Sequence, residues 1–246
     1  MIIKENQLDI DEINTEDVLA VEDNNMQYKD AIFFDLEHYV YKKPKCVGVF
    51  GCCYYDEVKD KLIVTQYMIE NREEGKDILL MAENYFKVMQ EKYNKKYIVT
   101  FSGNNDFSVI NYLFNQNGVK YNILENFKHI DLQREYEKVI KRGVGLKALE
   151  KIFDIEREGE LIAGSNLAKT FHKVMKDSEY FSRMPKEKVE KILQYNEQDV
   201  VNLFHIYVKW NKYINKLREQ IELENSILES EKLSETEIDN NSEATI

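Results

Sequence analysis

The feature that most constrains the fold is a run of four apolar residues followed at once by two carboxylates, Ala31-Ile32-Phe33-Phe34-Asp35-Leu36-Glu37. A short apolar run of this kind is typical of a buried central strand. Because side chains alternate along a strand, Asp35 and Glu37 point to one side and Leu36 to the other. Two carboxylates on one buried face repel each other unless a cation lies between them. Most acid-x-acid triplets lie on the solvated surface of a protein. This triplet differs because it directly follows an apolar strand.

The pair of acids therefore predicts a metal site at the end of a central strand. No Cys or His cluster lies nearby, and hard oxygen ligands suit Mg²⁺ or Mn²⁺ better than Zn²⁺. Cys46, Cys52 and Cys53 all fall within one predicted strand. They fit neither a disulfide framework nor a zinc spacing, so we expect them to pack in the core of a protein from a reducing compartment.

Length and charge favour one globular domain between two acidic ends. A chain of 246 residues can bury a large core. No apolar run approaches the roughly twenty residues that span a bilayer, and the acidic N-terminus is unlike a signal peptide, which favours a cytoplasmic location and no membrane partner. The net charge is −11, but residues 1–25 carry −7 and residues 219–246 carry −8, which leaves +4 for residues 26–218. The acidic pI therefore does not exclude a nucleic-acid partner.

We expect residues 1–25 to be a flexible acidic segment, residues 26–218 to be the folded domain and residues 219–246 to be a disordered acidic tail. Within the domain, periodicity predicts further strands at 46–55, 61–69, 97–101 and 126–132. Helices are predicted at 76–93, from Asp106 onward, and at 133–141, 146–153, 166–176 and 185–217. Strands that alternate with helices favour an α/β fold.

Two further acidic positions follow from this pattern. Asp106 lies in the polar turn between a strand and a helix, where α/β proteins place residues that contact ligands. Tyr195 and Asp199 are four residues apart on the long helix and so share one face. An isolated pair of this kind is more often a core aromatic and a surface acid. Here the pair is the last of three acidic elements, after Asp35-x-Glu37 and Asp106, and each of the three is placed by a predicted strand or helix.

Taken in order, Asp35-x-Glu37, Asp106 and Tyr195-x-x-x-Asp199 resemble the three exonuclease motifs of the DEDD superfamily, in its tyrosine-bearing branch. More narrowly, two segments are similar to the YprB-like ribonuclease H-like domain. One is residues 126–155, with Gly-x-x-Leu-x-x-Leu-Glu at 143–150, and the other is Tyr-Asn-Glu-Gln-Asp-Val-Val-Asn-Leu at 195–203. The resemblance covers roughly residues 28–210.

The resemblance implies an α/β ribonuclease H-like fold, with a mixed central sheet flanked by helices. It also implies two divalent cations, Mg²⁺ or Mn²⁺, about 3.5 to 4 Å apart. Asp35, Glu37, Asp106 and Asp199 would hold them, and one cation would activate a water while the other stabilises the leaving oxygen. Tyr195 would position or deprotonate the attacking water.

The second motif departs from the family pattern. Family members commonly carry Asn-Gly-x-x-Phe-Asp, whereas this chain reads Ser102-Gly103-Asn104-Asn105-Asp106-Phe107. A small shift in the start of the helix would let Asp106 reach the cations, and Asn105 is a candidate substitute ligand or substrate contact. The histidine branch places a His where this chain has Gln194, and His205 lies on the wrong side of Asp199, so we expect it to be a packing residue.

Three functions remain open at this point. The first is a metal-dependent 3′–5′ exonuclease that acts on a DNA or RNA strand with a 3′ end. Basic residues near Arg142 and backbone groups around Gly103 would grip the strand. The basic group comprises Lys138, Lys141, Arg142, Lys147 and Lys151, which form either a solvated surface or phosphate contacts. The second is a catalytically weak nucleic-acid-binding module, and the third is a structural interaction protein with acidic tails. The sequence leaves the oligomeric state open.

Overall fold

The computed structural model describes residues 1–22, 24–159 and 162–243, with side chains described as far as Ile227. Six strands form one sheet: β1 (Ile2–Leu8), β2 (Ala31–Tyr41), β3 (Lys43–Asp56), β4 (Lys61–Met68), β5 (Tyr97–Thr100) and β6 (Lys128–Asp131). The helices are α1 (Asp77–Glu91), α2 (Asn104–Gln116), α3 (Ile123–Asn126), α4 (Leu132–Ile140), α5 (Leu146–Ile152), α6 (Gly164–Lys176), α7 (Lys186–Val208) and α8 (Trp210–Glu243). Single 3-10 turns occur at Gln27–Asp30 and Glu73–Gly75.

The sheet is mixed, with strand order β1-β4-β3-β2-β5-β6. The four strands from β1 to β2 in that order pair antiparallel, whereas β5 joins β2 in parallel and β6 joins β5 in parallel. A mixed sheet flanked by helices is the predicted α/β architecture of the ribonuclease H-like fold, and that prediction is confirmed.

Alternation along β2 determines what each face of the sheet contacts. Phe34 packs against Phe86 of α1, with ring centroids 5.6 Å apart. Phe33 packs on the opposite face against Phe204 of α7, with centroids 5.4 Å apart. Because alternate residues share a face, Asp35 lies on the α7 side of the strand. The strand therefore directs its first carboxylate toward α7.

The N-terminal segment differs from the flexible arm expected for residues 1–25. Residues 2–8 form β1, which pairs with β4 from Ile2 opposite Met68 to Leu8 opposite Leu62. An edge strand is stabilised by backbone hydrogen bonds that do not depend on aliphatic side chains. This explains why sparse aliphatics and many acids did not indicate a strand.

The C-terminal region also differs from the expectation. The helical stretch that we predicted as continuous is divided at Lys209. Helix α8 then continues to Glu243, through most of the tail that we expected to be disordered. The last residues of that tail, 244–246, lie outside the described residues. The chain has no Pro after Pro185 and no Gly after Gly164, and Glu, Lys and Leu are good helix formers. The prediction of a disordered tail relied on the acidic composition and gave too little weight to these helix-forming residues.

Two other predictions concern burial and membranes. Cys46, Cys52 and Cys53 are buried and free, which confirms that they pack in the core. Within the described residues, every helix is too short or too polar to span a bilayer.

Candidate metal centre

Three carboxylates converge at the contact between β2 and α7. Asp35, Glu37 and Asp199 each offer an oxygen, and these oxygens lie within 4.8 Å of one another. Asp35 and Glu37 share one face of β2, as their spacing predicts. Glu37 and Asp199 are buried, and Asp35 is half-buried. We call this set the carboxylate cluster.

A close approach of α7 to the sheet brings Asp199 to β2. Asn196 of α7 is fully buried and donates to Asp35 Oδ2 over 3.2 Å. Gln66 of β4 donates to Asn196 Oδ1 over 2.9 Å and to the carbonyl of Leu193 over 2.8 Å. Gly51 of β3 lies under Asn196, and any Cβ at this position would overlap the Asn196 amide. The glycine therefore permits the helix to sit where its acid can join the cluster.

Two cations already contact Asp199. Lys147 Nζ, at the start of α5, lies 2.9 Å from Asp199 Oδ1. Arg157 follows α5, and its Nη2 donates to the same oxygen. Arg157 also binds Glu150 through two nitrogens, with Nε 2.7 Å from Oε2. Glu150 Oε1, which accepts from Arg157 Nη2, also accepts from Asn202 Nδ2 over 3.0 Å. We call Glu150, Arg157, Asn202 and Asp199 the arginine network.

The electrostatics of the cluster favour binding of a cation. Burial raises the pKa of Asp35 to about 7, and repulsion from Asp199 adds to this effect. Burial likewise raises the pKa of Glu37 well above its ordinary value, with repulsion from Asp35 as the next cause. A divalent cation would remove both penalties, since it replaces lost hydration with charge and oxygen coordination. The carboxylate cluster therefore fits a hard divalent cation.

Asp106 lies beside the carboxylate cluster and outside the three oxygens that converge. It is the third residue of α2, which begins at Asn104, close to the predicted start near Asp106. Its carboxylate is buried, with Oδ1 3.6 Å from His38 Nδ1. Burial raises its pKa well above the ordinary value, with repulsion from Asp35 and Asp199 as further causes. Asp106 is thus close enough for the charges of the cluster to raise its pKa.

Tyr195 lies one turn before Asp199 and is half-buried. Lys147 Nζ lies 4.4 Å from the centroid of its ring, and Arg157 Cζ lies 5.3 Å from it. Burial raises the pKa of its hydroxyl, and the charge of Asp199 acts in the same direction. The hydroxyl therefore remains protonated at neutral pH, which suits a donor or a positioning group better than a general base.

The other residues singled out in the sequence have varied positions. Asn105 is exposed and its Nδ2 lies 3.1 Å from His38 Nε2, so it faces a histidine and not the cluster. Asp131, at the end of β6, was not among the predicted site residues; it accepts from the backbone N–H of Ser102 over 2.9 Å and from that of Gln133 over 3.1 Å, which orders the turn after β5. His205 packs beside Phe204, and burial lowers its pKa to about 4.

Of the five basic residues predicted around the break near Arg142, Lys147 is the one that the structure joins to the cluster by an ion pair. Lys138 instead pairs with Glu135, with 2.6 Å between Nζ and Oε1.

Sequence reasoning missed Asn196 and Arg157 as site residues. Asn196 was adjacent to a predicted site residue, but its importance depends on Gly51, which is distant in sequence. Arg157 carried no motif signal, because its role follows from a loop that folds back on α7.

The comparisons with known proteins agree with this geometry. A family model described as the RNase H superfamily matches residues 32–211, which is most of the chain. This match begins in β2 and ends just after α7, so it includes every member of the carboxylate cluster. No curated protein matches the chain. By fold and by this family match, the chain belongs to the RNase H superfamily.

Proposed function

We propose that this chain is a metal-dependent 3′–5′ exonuclease of the tyrosine-bearing DEDD type, related to YprB-like domains, that hydrolyses phosphodiester bonds of DNA or RNA in the cytoplasm. The observation that carries the proposal is the carboxylate cluster, whose three oxygens lie within 4.8 Å of one another. We assign the activity to residues 26–218, with the two acidic ends outside it.

Asp35, Glu37 and Asp199 would hold a first divalent cation, and Asp106 would complete the site for a second. When bound, two Mg²⁺ or Mn²⁺ ions supply an activated water and stabilise the leaving oxygen of the phosphodiester. Asn196 keeps Asp35 oriented through its 3.2 Å hydrogen bond, so this ligand does not have to be ordered when the cation binds.

Tyr195 and Lys147 have roles that follow from their positions. Because the Tyr195 hydroxyl stays protonated, we assign it the orientation of the attacking water. The side chain of Lys147 is 34% exposed, so its amine is accessible to a phosphate oxygen while it remains next to Asp199. Arg142 and the backbone around Gly103 are further candidates for contacts to the strand.

The second candidate function is a nucleic-acid-binding module with weak or no catalysis. The observation that favours it is the ion pairing of Asp199 to both Lys147 and Arg157, together with the position of Asp106 beside the cluster. Fixed cations at one ligand weaken its attraction for a metal ion. The two candidates differ in whether a bound strand is cut.

Degradation of short labelled strands tests the proposal. Single strands and duplexes of DNA and RNA, labelled at the 5′ end, are incubated with Mn²⁺ or Mg²⁺. We expect a ladder that shortens from the 3′ end, no ladder with Asp35→Asn or Asp199→Asn, and a slower one with Tyr195→Phe. Asp9→Asn is the matched control, because its side chain is 91% exposed and distant in sequence from the cluster.

Intact label with a folded wild-type protein under every condition would overturn the exonuclease proposal. Binding of the same strands without cutting would then support the second candidate. Circular dichroism of each variant separates loss of chemistry from loss of fold.

A further inference from the structure

A cavity of about 560 Å³ lies beyond the carboxylate cluster on the same strand. Its lining includes two tyrosines, a histidine and three basic residues: Tyr39, Tyr41, Lys45, Arg72, His172 and Lys176. Its volume is in the range of small-molecule binding sites. We call it the tyrosine cavity.

The tyrosine cavity lies further along β2 than the cluster, past two irregularities in the pairing of β2 with β3, one between Glu37 and His38 and one between Tyr39 and Val40. Asp35, Glu37, Tyr39 and Tyr41 occupy successive alternate positions of that strand. At about 3.3 Å per residue, Tyr39 lies roughly 7 Å past Glu37 and Tyr41 roughly 13 Å past it. A polymer held at the cluster would therefore reach the cavity within a few of its units.

The aromatic side chains of the tyrosine cavity are arranged for contact with a planar group. Tyr39 is ordered by His172, through a hydrogen bond between its hydroxyl and Nδ1 and an edge-on ring contact of 4.9 Å. Tyr41 is 60% exposed, and Lys42 Nζ lies 5.8 Å from the centroid of its ring. An exposed ring beside a cavity offers a face on which a base can stack.

The charges of the tyrosine cavity suit an anionic chain. Lys45, Arg72 and Lys176 are exposed, and none of them forms an ion pair with another residue in the described part of the chain. Its lining residues include no acid. Unpaired cations around aromatic rings are the combination that binds single-stranded nucleic acid, with phosphates on the cations and bases on the rings.

We propose that the tyrosine cavity binds an unpaired nucleotide of the substrate strand, with its base against Tyr41 and its phosphate on Lys45, Arg72 or Lys176. The proposal rests on the nuclease function for its choice of a nucleic acid, and it names the substrate class as single-stranded. Bases inside a duplex have both faces covered by their neighbours and their edges paired, so they cannot enter the cavity or stack on its ring without leaving the duplex.

Fluorescence anisotropy with labelled twelve-nucleotide strands of DNA and RNA tests this proposal, in EDTA so that no strand is cut. We expect Tyr41→Ala to weaken binding about 5- to 150-fold, as for loss of one base–aromatic stack. Tyr41→Phe keeps the ring and should stay within about twofold of wild type. The triple change of Lys45, Arg72 and Lys176 to Gln should weaken binding and reduce the salt slope by about 0.7, because it removes every cation assigned to the phosphate. Lys216→Gln, an exposed lysine of α8, is the matched control and should change neither quantity.

Three results would overturn the proposal: equal affinity of wild type and Tyr41→Ala, no binding of single strands by wild type, or an equal loss on a blunt duplex. Cleavage by the wild type is measured in parallel with Mn²⁺. If strands are shortened but their affinity does not depend on Tyr41, the cavity proposal fails and the exonuclease stands. If binding depends on Tyr41 but no strand is shortened, the exonuclease fails and the cavity remains a strand-binding site.

Discussion

Removal of the guanidinium from the arginine network should destabilise the fold strongly. The Arg157 side chain is 7% exposed, and its partners Glu150 and Asp199 are 3% and 7% exposed. Arg157→Gln leaves the Glu150 carboxylate buried with Asn202 as its remaining hydrogen-bond donor among the described residues. Breaking a buried ion pair from one side costs about 3 to 5 kcal/mol, because the other charge stays buried without compensation. This is a large part of the roughly 5 to 15 kcal/mol that stabilises an ordinary domain.

Urea unfolding followed by circular dichroism measures this loss. Arg183→Gln is the matched control, because Arg183 pairs with Asp177 at the surface, where the two side chains are 59% and 46% exposed. It should cost less than about 1 kcal/mol. The double variant Glu150→Gln with Arg157→Gln removes both charges and should be more stable than Arg157→Gln alone. A loss below about 1 kcal/mol for Arg157→Gln, or a double variant as unstable as the sum of its single changes, would refute the reasoning.

Three further predictions concern the contact under α7, a buried lysine and the charge of the cluster. Gly51→Ala should lower the free energy of unfolding by about 1 to 3 kcal/mol and displace Asn196, because a Cβ overlaps its amide; an unchanged urea midpoint would contradict the close contact. Burial lowers the pKa of Lys95 to about 8, so the folded chain binds fewer protons than the unfolded chain between that value and about 10.4. The stability of the wild type relative to Lys95→Gln should therefore increase by about 1.5 kcal/mol from about pH 8 to about pH 9.5 in urea titrations at each pH. The comparison with Lys95→Gln is needed because the buried thiols of Cys46, Cys52 and Cys53, whose pKa values are raised, change the total stability in the opposite direction. Asp35→Asn should raise the free energy of unfolding by about 1 to 3 kcal/mol at pH 8 in EDTA, since it removes one of several repelling carboxylates, while a destabilised variant would argue against a strained cluster.

Local patterns predicted the elements that carry the site. The apolar run before Asp35 indicated a central strand, and the structure places it as β2, fourth in a six-stranded sheet. The helical spacing of Tyr195 and Asp199 placed them on one face, and α7 presents Asp199 to the cluster. Both predictions succeeded because a period of two or of 3.6 residues determines which side chains meet.

Contacts between residues that are distant in the chain could not be predicted from the sequence. Nothing near Gly51 indicates that it lies under Asn196, and nothing near Glu150 indicates that Arg157 returns to bind it. The strand β1 was missed because edge pairing is a backbone property. Such contacts depend on the packing of distant elements, which a single sequence does not display.

The position of Asp106 follows from the elements that hold each carboxylate. Asp35, Glu37 and Asp199 lie on β2 and α7, and these two elements are joined by the hydrogen bond from Asn196 to Asp35. Asp106 lies instead on α2, beside His38 of β2. Asp106 precedes Phe107, the reverse of the order in the resembling motif, so its side chain lies one residue, or about 100°, around the helix from the position where that motif has its acid. The acid whose motif departs from the resembling family is thus the one that lies outside the converging oxygens. Under the proposed function, its contribution to catalysis should depend on a small movement of α2 when a cation binds.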